Sequence, residues 1–317
     1  MRALHALSLL IGLLLCGAAG AAGAAGKERQ VITDPALRAR EARLLDEAIQ
    51  ALVPSRPGVP DLYVIGFGGD STEDVFRNEI VHLDSLMTER FGARGRVLTL
   101  VNHSDSLIRT PRPLANLENL RTALRGVASR MDDEDVLLLF MTMHGTPQHQ
   151  LVALMPPAFV DMIDPRELRD ALDDAGIRHR VLAISACFSG GFVPALQGPR
   201  TLVITAAHRS RPSFGCGPDS DATFFGRAWL IDALNDTTDF VRAFDIASRS
   251  IAVREKAEGF RPSKPQIAVG KEIVPVLQAW QAQLQPGPKV AYAFNAPADA
   301  TDAPAEAASA ANPKEKR

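Results

Sequence analysis

Cysteine is scarce in this sequence, with three residues among 317. Cys16 falls in an N-terminal segment that we expect to be removed, which leaves Cys187 and Cys216. Two interpretations of this pair stay open: they form a disulfide in an oxidising compartment, or one of them is a reactive thiol. No cluster of residues has the spacing of zinc ligands, so we expect no metal.

An excess of charge of either sign is also missing. The sequence has 35 Lys and Arg residues against 37 Asp and Glu residues, and the basic residues are scattered along the chain. This composition argues against a nucleic-acid-binding surface. The stretch "GFGGD" at 66–70 lacks the complete glycine fingerprint of a dinucleotide-binding loop, so we expect no organic cofactor either.

A convincing membrane span is missing as well. The apolar run from Leu7 to Leu15 is too short to cross a bilayer, and it follows Arg2 and precedes a stretch of alanine and glycine. This order is typical of a secretory signal peptide, so we predict that residues 1–25 are removed and that the protein is periplasmic or secreted. A lipid anchor at Cys16 is less favoured, because the preceding leucine is bulkier than a lipoprotein cleavage site usually accepts.

What the sequence does contain is an alternation of helical and strand-like segments. Residues 35–52 have apolar positions at helical spacing, with Pro35 suited to the first turn. Strands that are apolar throughout and separated by helices indicate a parallel sheet covered on both faces, so we predict an α/β fold. The predicted strands are "DLYVIGF", "RVLTLVN", "DVLLLFMTM", "QLVAL", "RVLAISA" and "RTLVITAA".

The same patterns suggest where the parts of the chain begin and end. We predict an N-terminal helical segment at 26–57 and an α/β domain at 58–284. Its first amphipathic helix follows Ser71 or Thr72 as N-cap. Residues 285–317 have small, polar and charged side chains with almost nothing to bury, and we predict a disordered tail there.

Reactive side chains follow two of the predicted strands. "DVLLLFMTM" is followed by His144 and Gly145, and "RVLAISA" is followed by Cys187. Ligands of open α/β sheets bind at the carboxyl ends of the strands, where neighbouring strands would bring these residues together. An imidazole beside a thiol lowers its pKa or removes its proton, so the pair is a candidate base and nucleophile. The N–H groups of Gly145 and Cys187 could stabilise an oxyanion.

Each of these residues also has a structural interpretation. A histidine after a strand is often structural, and a buried cysteine often serves as a small hydrophobic residue. The joint occurrence of both residues at two strand ends favours the catalytic interpretation. His149 lies in a loop and lacks this placement, and we interpret the residues "FSGG" at 188–191 as keeping the turn open for a substrate carbonyl.

The segments "LLLFMTMHG" and "VLAISACFSGG" resemble the legumain-like cysteine peptidases of family C13, which have the caspase-hemoglobinase fold. The resemblance covers roughly residues 58–282, and this sequence is similar to an exported, bacterial-type member. It implies a caspase-like three-layer α/β/α fold with a mostly parallel central sheet. It also implies a cysteine endopeptidase that cleaves peptide or protein substrates through a Cys-His dyad and an acyl-enzyme, without a cofactor.

The resemblance also suggests substrate-binding residues. Ser213 and Phe214 match the serine and the aromatic residue that shape the legumain pocket for the residue before the scissile bond. Legumains carry an Arg-His pair after the first strand, whereas this sequence offers Asp74 and Arg77 in shifted positions, and Arg227 stands where an acidic pocket residue is expected. Asparagine specificity is therefore not implied for this chain.

Charge in the pocket would set the specificity. If Arg77 or Arg227 points inward, an acidic residue is preferred, because a carboxylate accepts the fork of guanidinium donors. If Asp74 or Asp221 points inward, a basic residue is preferred. Of the two, we expect the acidic preference.

Two other functions fit the same residues. A chain with an altered specificity loop could be a catalytically inactive interaction module. Alternatively, an amine could accept the acyl group, which would make the protein a transpeptidase. Labelling with an electrophilic peptide tests the first alternative, and product analysis with an added amine tests the second.

Overall fold

A computed structural model describes residues 29–218 and 220–294. The predicted signal peptide with Cys16, residues 26–28 of the predicted N-terminal segment and residues 295–317 of the predicted tail lie outside these described residues. The strands are β1 (Leu62–Gly68), β2 (Val97–Val101), β3 (Val136–Thr142), β4 (His144–Gly145), β5 (Leu151–Met155), β6 (Phe159–Ile163), β7 (His179–Ser185), β8 (Thr201–Thr205) and β9 (Gln266–Val269).

Six of these strands form the central sheet, in the order β2-β1-β3-β7-β8-β9. All neighbouring pairs are parallel except the last, in which β9 runs antiparallel to β8 at the sheet edge. Every residue of β1 and β3 is buried. Such continuous burial requires cover on both faces of the sheet, and this is why these strands are apolar throughout.

Helices supply that cover. The α-helices are α1 (Pro35–Gln50), α2 (Asp74–Glu89), α3 (Ser104–Ile108), α4 (Leu117–Ala128), α5 (Pro165–Asp174), α6 (Val193–Leu196), α7 (Leu234–Asp236), α8 (Phe240–Ala257) and α9 (Ile273–Gln283). A 3₁₀ turn at Ser189–Phe192 and a π-helix at Gly226–Ala233 complete the helical elements of the described residues. None of the described helices combines the length and the apolar character that crossing a bilayer requires.

The helices form two layers, each with its own apolar core. One core joins side chains of α1, α4 and α5 to one face of the sheet. The other joins α2, the π-helix, α8 and α9 to the opposite face. The predicted three-layer α/β/α fold with a mostly parallel sheet is therefore confirmed.

Helix α2 begins later than predicted. Its N-cap position is Glu73, which makes no capping hydrogen bond through its side chain. The predicted cap residue Thr72 is held by Asp70 instead, because both its N–H and its hydroxyl donate to Oδ1 of that carboxylate, at 2.8 and 2.6 Å. Asp70 thus keeps the chain in a turn until residue 73.

The strand predicted at 150–154 exists as β5, but it lies outside the central sheet. It pairs antiparallel with β4 and β6 in a separate three-stranded sheet. Its residues alternate between buried and half-buried, which is typical of a sheet with one covered face.

The C-terminal boundary also differs from the prediction. Residues 285–294 pack on the domain, although we predicted that the tail starts at 285. The Arg90 guanidinium donates to the carbonyl oxygen of Gly287 at 2.7 Å, and the Tyr292 hydroxyl donates to that of Asp221 at 2.6 Å. The burial of an aromatic ring and hydrogen bonds to main-chain carbonyl oxygens hold this segment. Its composition of small and polar residues does not reveal either interaction.

Candidate active site

The ends of β3 and β7 form the centre of the candidate site. These neighbouring strands are parallel, and their last residues, Thr142 and Ser185, are paired in register. The Met143 N–H donates to the Ser185 carbonyl oxygen at 3.2 Å, which extends the pairing by one residue. His144 lies two residues after the end of β3, and Cys187 lies two residues after the end of β7. The predicted placement of both residues at one edge of the sheet is what the structure has.

The chain turns sharply after Cys187. Phe188 has φ of 58°, in the left-handed region that is uncommon for a residue with a side chain. Its N–H donates to the Arg211 carbonyl oxygen at 2.9 Å. This bond ties the turn to the loop that follows β8, so the strained conformation is held by the surrounding structure.

That loop supplies the hydrogen-bond partners of the Cys187 thiol. The Ser213 N–H donates to Sγ of Cys187 at 3.3 Å. The Ser213 carbonyl oxygen and hydroxyl lie 3.5 and 3.7 Å from Sγ. Ser213, which we predicted to bind substrate, therefore directly contacts the candidate nucleophile.

Cys216 is the other partner of this thiol. The two cysteines are free, so they form no disulfide in this structure. A hydrogen bond from the Cys216 thiol is the largest of the causes that lower the pKa of Cys187, followed by the bonds from Ser213 and the charge of His144, while burial acts against them. The same contact raises the pKa of Cys216, so Cys216 stays protonated as the donor. The pair favours a thiolate at Cys187.

His144 lies beside this thiol without a hydrogen bond to it among the described residues. The edge of its ring packs against Phe76 of α2, with the ring centroids 5.2 Å apart and an interplanar angle of 85°. The imidazole is half-exposed. It is therefore accessible to solvent, as the exchange of protons by a side chain requires.

Gly145 packs directly against the backbone of Cys187. A Cβ atom at this position would overlap the carbonyl oxygen of Cys187 and contact the Cβ of Ala186. Its φ is not in the left-handed region, so the constraint is space and not backbone conformation. Only glycine lets β4 approach the end of β7 this closely.

The sequence suggested that the glycines after Cys187 keep the turn open for substrate, but in the structure they do not. A Cβ at Gly190 would overlap the backbone of Ala207 and Arg209, and a Cβ at Gly191 would overlap the ring of His149. These glycines allow close packing of the turn. Nε2 of His149 bonds to the Arg209 carbonyl oxygen at 2.9 Å, so that nitrogen carries a proton and cannot act as a base.

The predicted binding residues Asp74 and Arg77 face each other. The Arg77 guanidinium lies 3.4 Å from Asp74 and 3.2 Å from Asp105, and it stacks over the ring of Phe294 at 5.3 Å. Asp74 also accepts a bond from Nε2 of His103 at 2.9 Å. Both charges are thus engaged with residues of the same domain.

Arg227 is paired in the same way. Its guanidinium donates to Asp221 at 2.6 Å and lies over the ring of Tyr292 at 4.5 Å. Asp221 and Arg227 were alternative determinants of a charged pocket, and the structure makes them partners of one another. The guanidinium group that was to attract an acidic residue is therefore already paired within the chain, and the expected preference for an acidic residue stays a prediction.

An aromatic cluster stands beside Ser213. The ring of Phe214 stacks on that of Phe260 with the centroids 4.3 Å apart and contacts Phe224 at 5.8 Å, while the guanidinium of Arg254 lies 3.6 Å from the centre of the Phe224 ring. The family resemblance indicated Phe214. Phe224 and Phe260 were not predicted, because in the sequence they look like ordinary helix and loop residues.

One family of known proteins matches the sequence of this chain. A mostly parallel α/β sheet with a histidine and an activated thiol at one edge is the type of site that cysteine peptidases use. The family model described as "Peptidase C13 family" matches residues 116–276, just over half of the 317 residues, so the chain belongs to the peptidase C13 family. The matched range contains His144, Gly145, Cys187, Ser213 and Arg227.

Solved structures and curated proteins were compared as well. A structure described as pro-sf-caspase-1 aligns with a TM-score of 0.43 at 12% identity, covering 68% of this chain and 92% of that chain. No curated protein matches. Among the described residues, no group of three or more His, Cys, Asp or Glu side chains is arranged to hold a metal ion.

Proposed function

We propose that this member of the peptidase C13 family is a cysteine endopeptidase in which Cys187 is the nucleophile and His144 the general base. The observation that carries the proposal is the environment of Cys187. Its thiol accepts a hydrogen bond from the Ser213 N–H at the end of a strand paired with the one that leads to His144, and the nearby Cys216 thiol helps to lower its pKa. A structural cysteine in a core would lack these neighbours.

In the first step, the Cys187 thiolate attacks the carbonyl carbon of the scissile peptide bond. The thiol proton passes to the imidazole of His144, and a C–S bond forms as the carbonyl π electrons move onto oxygen. The lowered pKa of Cys187 makes this proton transfer easier. His144 makes no hydrogen bond to Sγ among the described residues, so this step requires the imidazole to approach the thiol when substrate binds.

Two backbone N–H groups are our candidates for stabilising the resulting oxyanion. The Thr146 N–H donates to the Gln150 carbonyl oxygen at 2.9 Å, which makes these two a hydrogen-bonded pair of the β4–β5 ladder. Antiparallel pairs alternate, so the next pair, Gly145 and Leu151, is not hydrogen-bonded, and the Gly145 N–H points away from β5. The Cys187 N–H has no hydrogen-bond acceptor among the described residues. Both groups can stabilise the charge.

The intermediate then collapses. The C–N bond breaks, and protonated His144 gives its proton to the leaving amine, which leaves an acyl-enzyme on Cys187. Water, deprotonated by His144, attacks the thioester carbonyl, and the C–S bond breaks to release the acid and regenerate the thiolate. No cofactor takes part in these steps.

The substrate is a peptide or protein, and the structure supports a weak dependence on charge before the scissile bond. The guanidinium groups of Arg77 and Arg227 are engaged with carboxylates of the chain, whereas Ser213 contacts the thiol and the next residue, Phe214, belongs to the aromatic cluster. We therefore propose that shape and apolar contact at the aromatic cluster select the side chain.

The test is labelling with a peptide that carries an electrophilic group, followed by peptide mapping. We expect one modified residue, Cys187, and cleavage of an unmodified peptide library at defined bonds. Labelling of Cys216 in preference to Cys187 would contradict the assignment of the nucleophile. If an added amine appears in the products in place of water, the protein is a transpeptidase.

A further inference from the structure

A fully buried carboxyl group lies beneath the candidate site and takes no part in the mechanism above. It belongs to Glu79 of α2, which has no exposed surface. Burying a carboxyl is costly unless hydrogen bonds compensate, so its partners show what it does in the fold. Burial raises the pKa of Glu79, and this favours its neutral form.

One partner is the end of β3. The hydroxyl of Thr142 donates to Oε2 of Glu79 at 2.6 Å. Thr142 is the last residue of β3, it is fully buried, and it precedes His144 by two residues. Glu79 therefore holds the strand end that leads to the candidate base.

The second partner is the segment between Ser213 and the π-helix, residues 213–226. The Thr223 N–H donates to Oε1 of Glu79 at 2.8 Å. The Thr223 hydroxyl lies 3.0 Å from that of Ser185, the last residue of β7, and accepts the Gly226 N–H at 2.8 Å. A side chain at Gly226 would overlap the Glu79 carboxyl, so this approach requires glycine.

We propose that Glu79 is a positioning residue for the candidate site, because its carboxyl joins the end of β3 to Thr223 of segment 213–226, and Thr223 in turn contacts the end of β7. The segment carries Ser213 and Cys216, the donors to the Cys187 thiol, so a shift of one part relative to the other would weaken those bonds. This inference rests on the proposed function insofar as the positioned residues are catalytic. The hydrogen-bond arrangement itself does not depend on it.

The main test compares Glu79→Gln with Glu79→Leu. Glutamine can accept from the Thr223 N–H and donate to the Thr142 hydroxyl, as a neutral carboxyl can, whereas leucine fills the space without either bond. The measurement is the rate of Cys187 alkylation by iodoacetamide across pH, together with peptide cleavage. We expect Glu79→Gln to stay close to wild type. Glu79→Leu should slow both reactions by about 10- to 100-fold, as misplaced reacting groups do, and should move the alkylation midpoint to higher pH.

Single removals separate the two branches of the arrangement and remain informative if Glu79→Leu does not fold. Thr142→Val removes the bond to β3, and we expect a lower kcat with KM nearly unchanged. Thr223→Val keeps the main-chain N–H that donates to Glu79, but it removes the hydroxyl that contacts Ser185 and accepts the Gly226 N–H. We expect this loss to loosen the segment from the end of β7, with a higher KM and a shifted alkylation midpoint. Equal effects of both variants on thermal stability, with alkylation and kinetics unchanged, would overturn the proposal.

Glu41 provides a matched control. It is also a buried glutamate, 3% exposed, and it accepts bonds from the Leu114 N–H at 2.6 Å and the Asn119 amide at 2.9 Å. It lies between α1 and α4, in the opposite helical layer. Glu41→Leu should lower Tm without changing alkylation of Cys187. If Glu79→Leu behaves as Glu41→Leu does, Glu79 has only a structural role. If wild type cleaves no peptide but the alkylation results stand, the proposed function fails and the positioning role does not.

Discussion

Two regions meet at the carboxyl edge of the central sheet, and they are built in different ways. The strand-end site, defined as His144, Gly145 and Cys187, is placed by the register of two buried parallel strands. The charged rim, defined as Asp74, Arg77, Asp221 and Arg227, is placed by ion pairs between side chains. The comparison shows that backbone register carries reactive groups to a position, whereas charges on a rim tend to neutralise one another.

The two regions should respond differently to substitution. A group placed by register has no substitute when it is removed, so its loss should abolish or strongly reduce activity. A charge in an ion pair that is partly exposed to solvent contributes on the order of 1 kcal/mol or less, so its loss should change activity little. The predictions below test this difference, beginning with the largest expected effect.

Removal of the nucleophile should have the largest effect. We expect Cys187→Ala to lower peptidase activity by at least about 10⁴-fold, as the loss of a nucleophile does in other peptidases. The fold should be intact, because alanine keeps the strand end and removes only a half-buried thiol. Turnover with a peptide substrate and a thermal unfolding curve measure the two properties. Undiminished turnover by the purified variant would place the nucleophile elsewhere.

Removal of the proposed general base should cause the second-largest loss of activity. The loss of a general base typically costs about 10²–10⁴ in rate, so we expect His144→Ala to reduce kcat/KM within that range. His149→Ala is the control, because that ring bonds to a carbonyl oxygen and packs on Gly191. It should change kcat/KM little. If the two variants exchange these effects, His149 is the base.

A substitution at Gly145 tests the contact between the backbones of β4 and Cys187. An added Cβ would overlap the Cys187 carbonyl oxygen and displace a proposed oxyanion donor. The loss of one such donor costs about 10²–10³ in kcat, which is the effect we expect for Gly145→Ala. Gly217→Ala serves as the control, since nothing in the described structure lies within 4 Å of its added Cβ. A wild-type kcat for Gly145→Ala would show that the close approach is not needed.

Substitution of Cys216 should change the pH dependence of the site. Its thiol donates the bond that contributes most to the lowered pKa of Cys187, so Cys216→Ala should raise that pKa. Alkylation requires the thiolate, so the rate should fall at a pH between the old and new pKa values and be unchanged above both. Cys216→Ser keeps a donor and should lie between wild type and Cys216→Ala. A pH–rate profile of iodoacetamide alkylation measures all three, and an unshifted Cys216→Ala profile would remove Cys216 from the site.

Removal of a charge from the rim should have the smallest effect on activity. We expect kcat/KM for matched peptides with Asp, Asn or Arg before the scissile bond to change by less than about fivefold in Arg227→Gln, since a partly exposed ion pair is worth little. Asp221→Asn should behave similarly. A strong preference for Asp that disappears in Arg227→Gln would restore the cationic pocket and contradict the contrast between the two regions.

Sequence patterns were sufficient to predict the core strands and the reactive residues that follow them. Burial on both faces requires strands that are apolar throughout, and parallel strands end at one edge of the sheet. The sequence alone was therefore enough to predict that His144 and Cys187 lie at the same edge. The second sheet was not predicted as separate, because β5 carries a strand pattern that does not indicate its partners. The segment 285–294 looked unstructured, although Tyr292 anchors it against Asp221.

By itself, the sequence determined the α/β class, the order of helices and strands, and the two strand ends that carry a histidine and a cysteine. These properties follow from periodicity and from local residue preferences, which are readable over a few residues. Only the tertiary structure decided that Cys216 lowers the pKa of Cys187, that Arg227 pairs with Asp221, and that Glu79 lies beneath the site. Each of these relations joins residues on different elements, and the partner of a polar or charged side chain depends on how the whole chain packs.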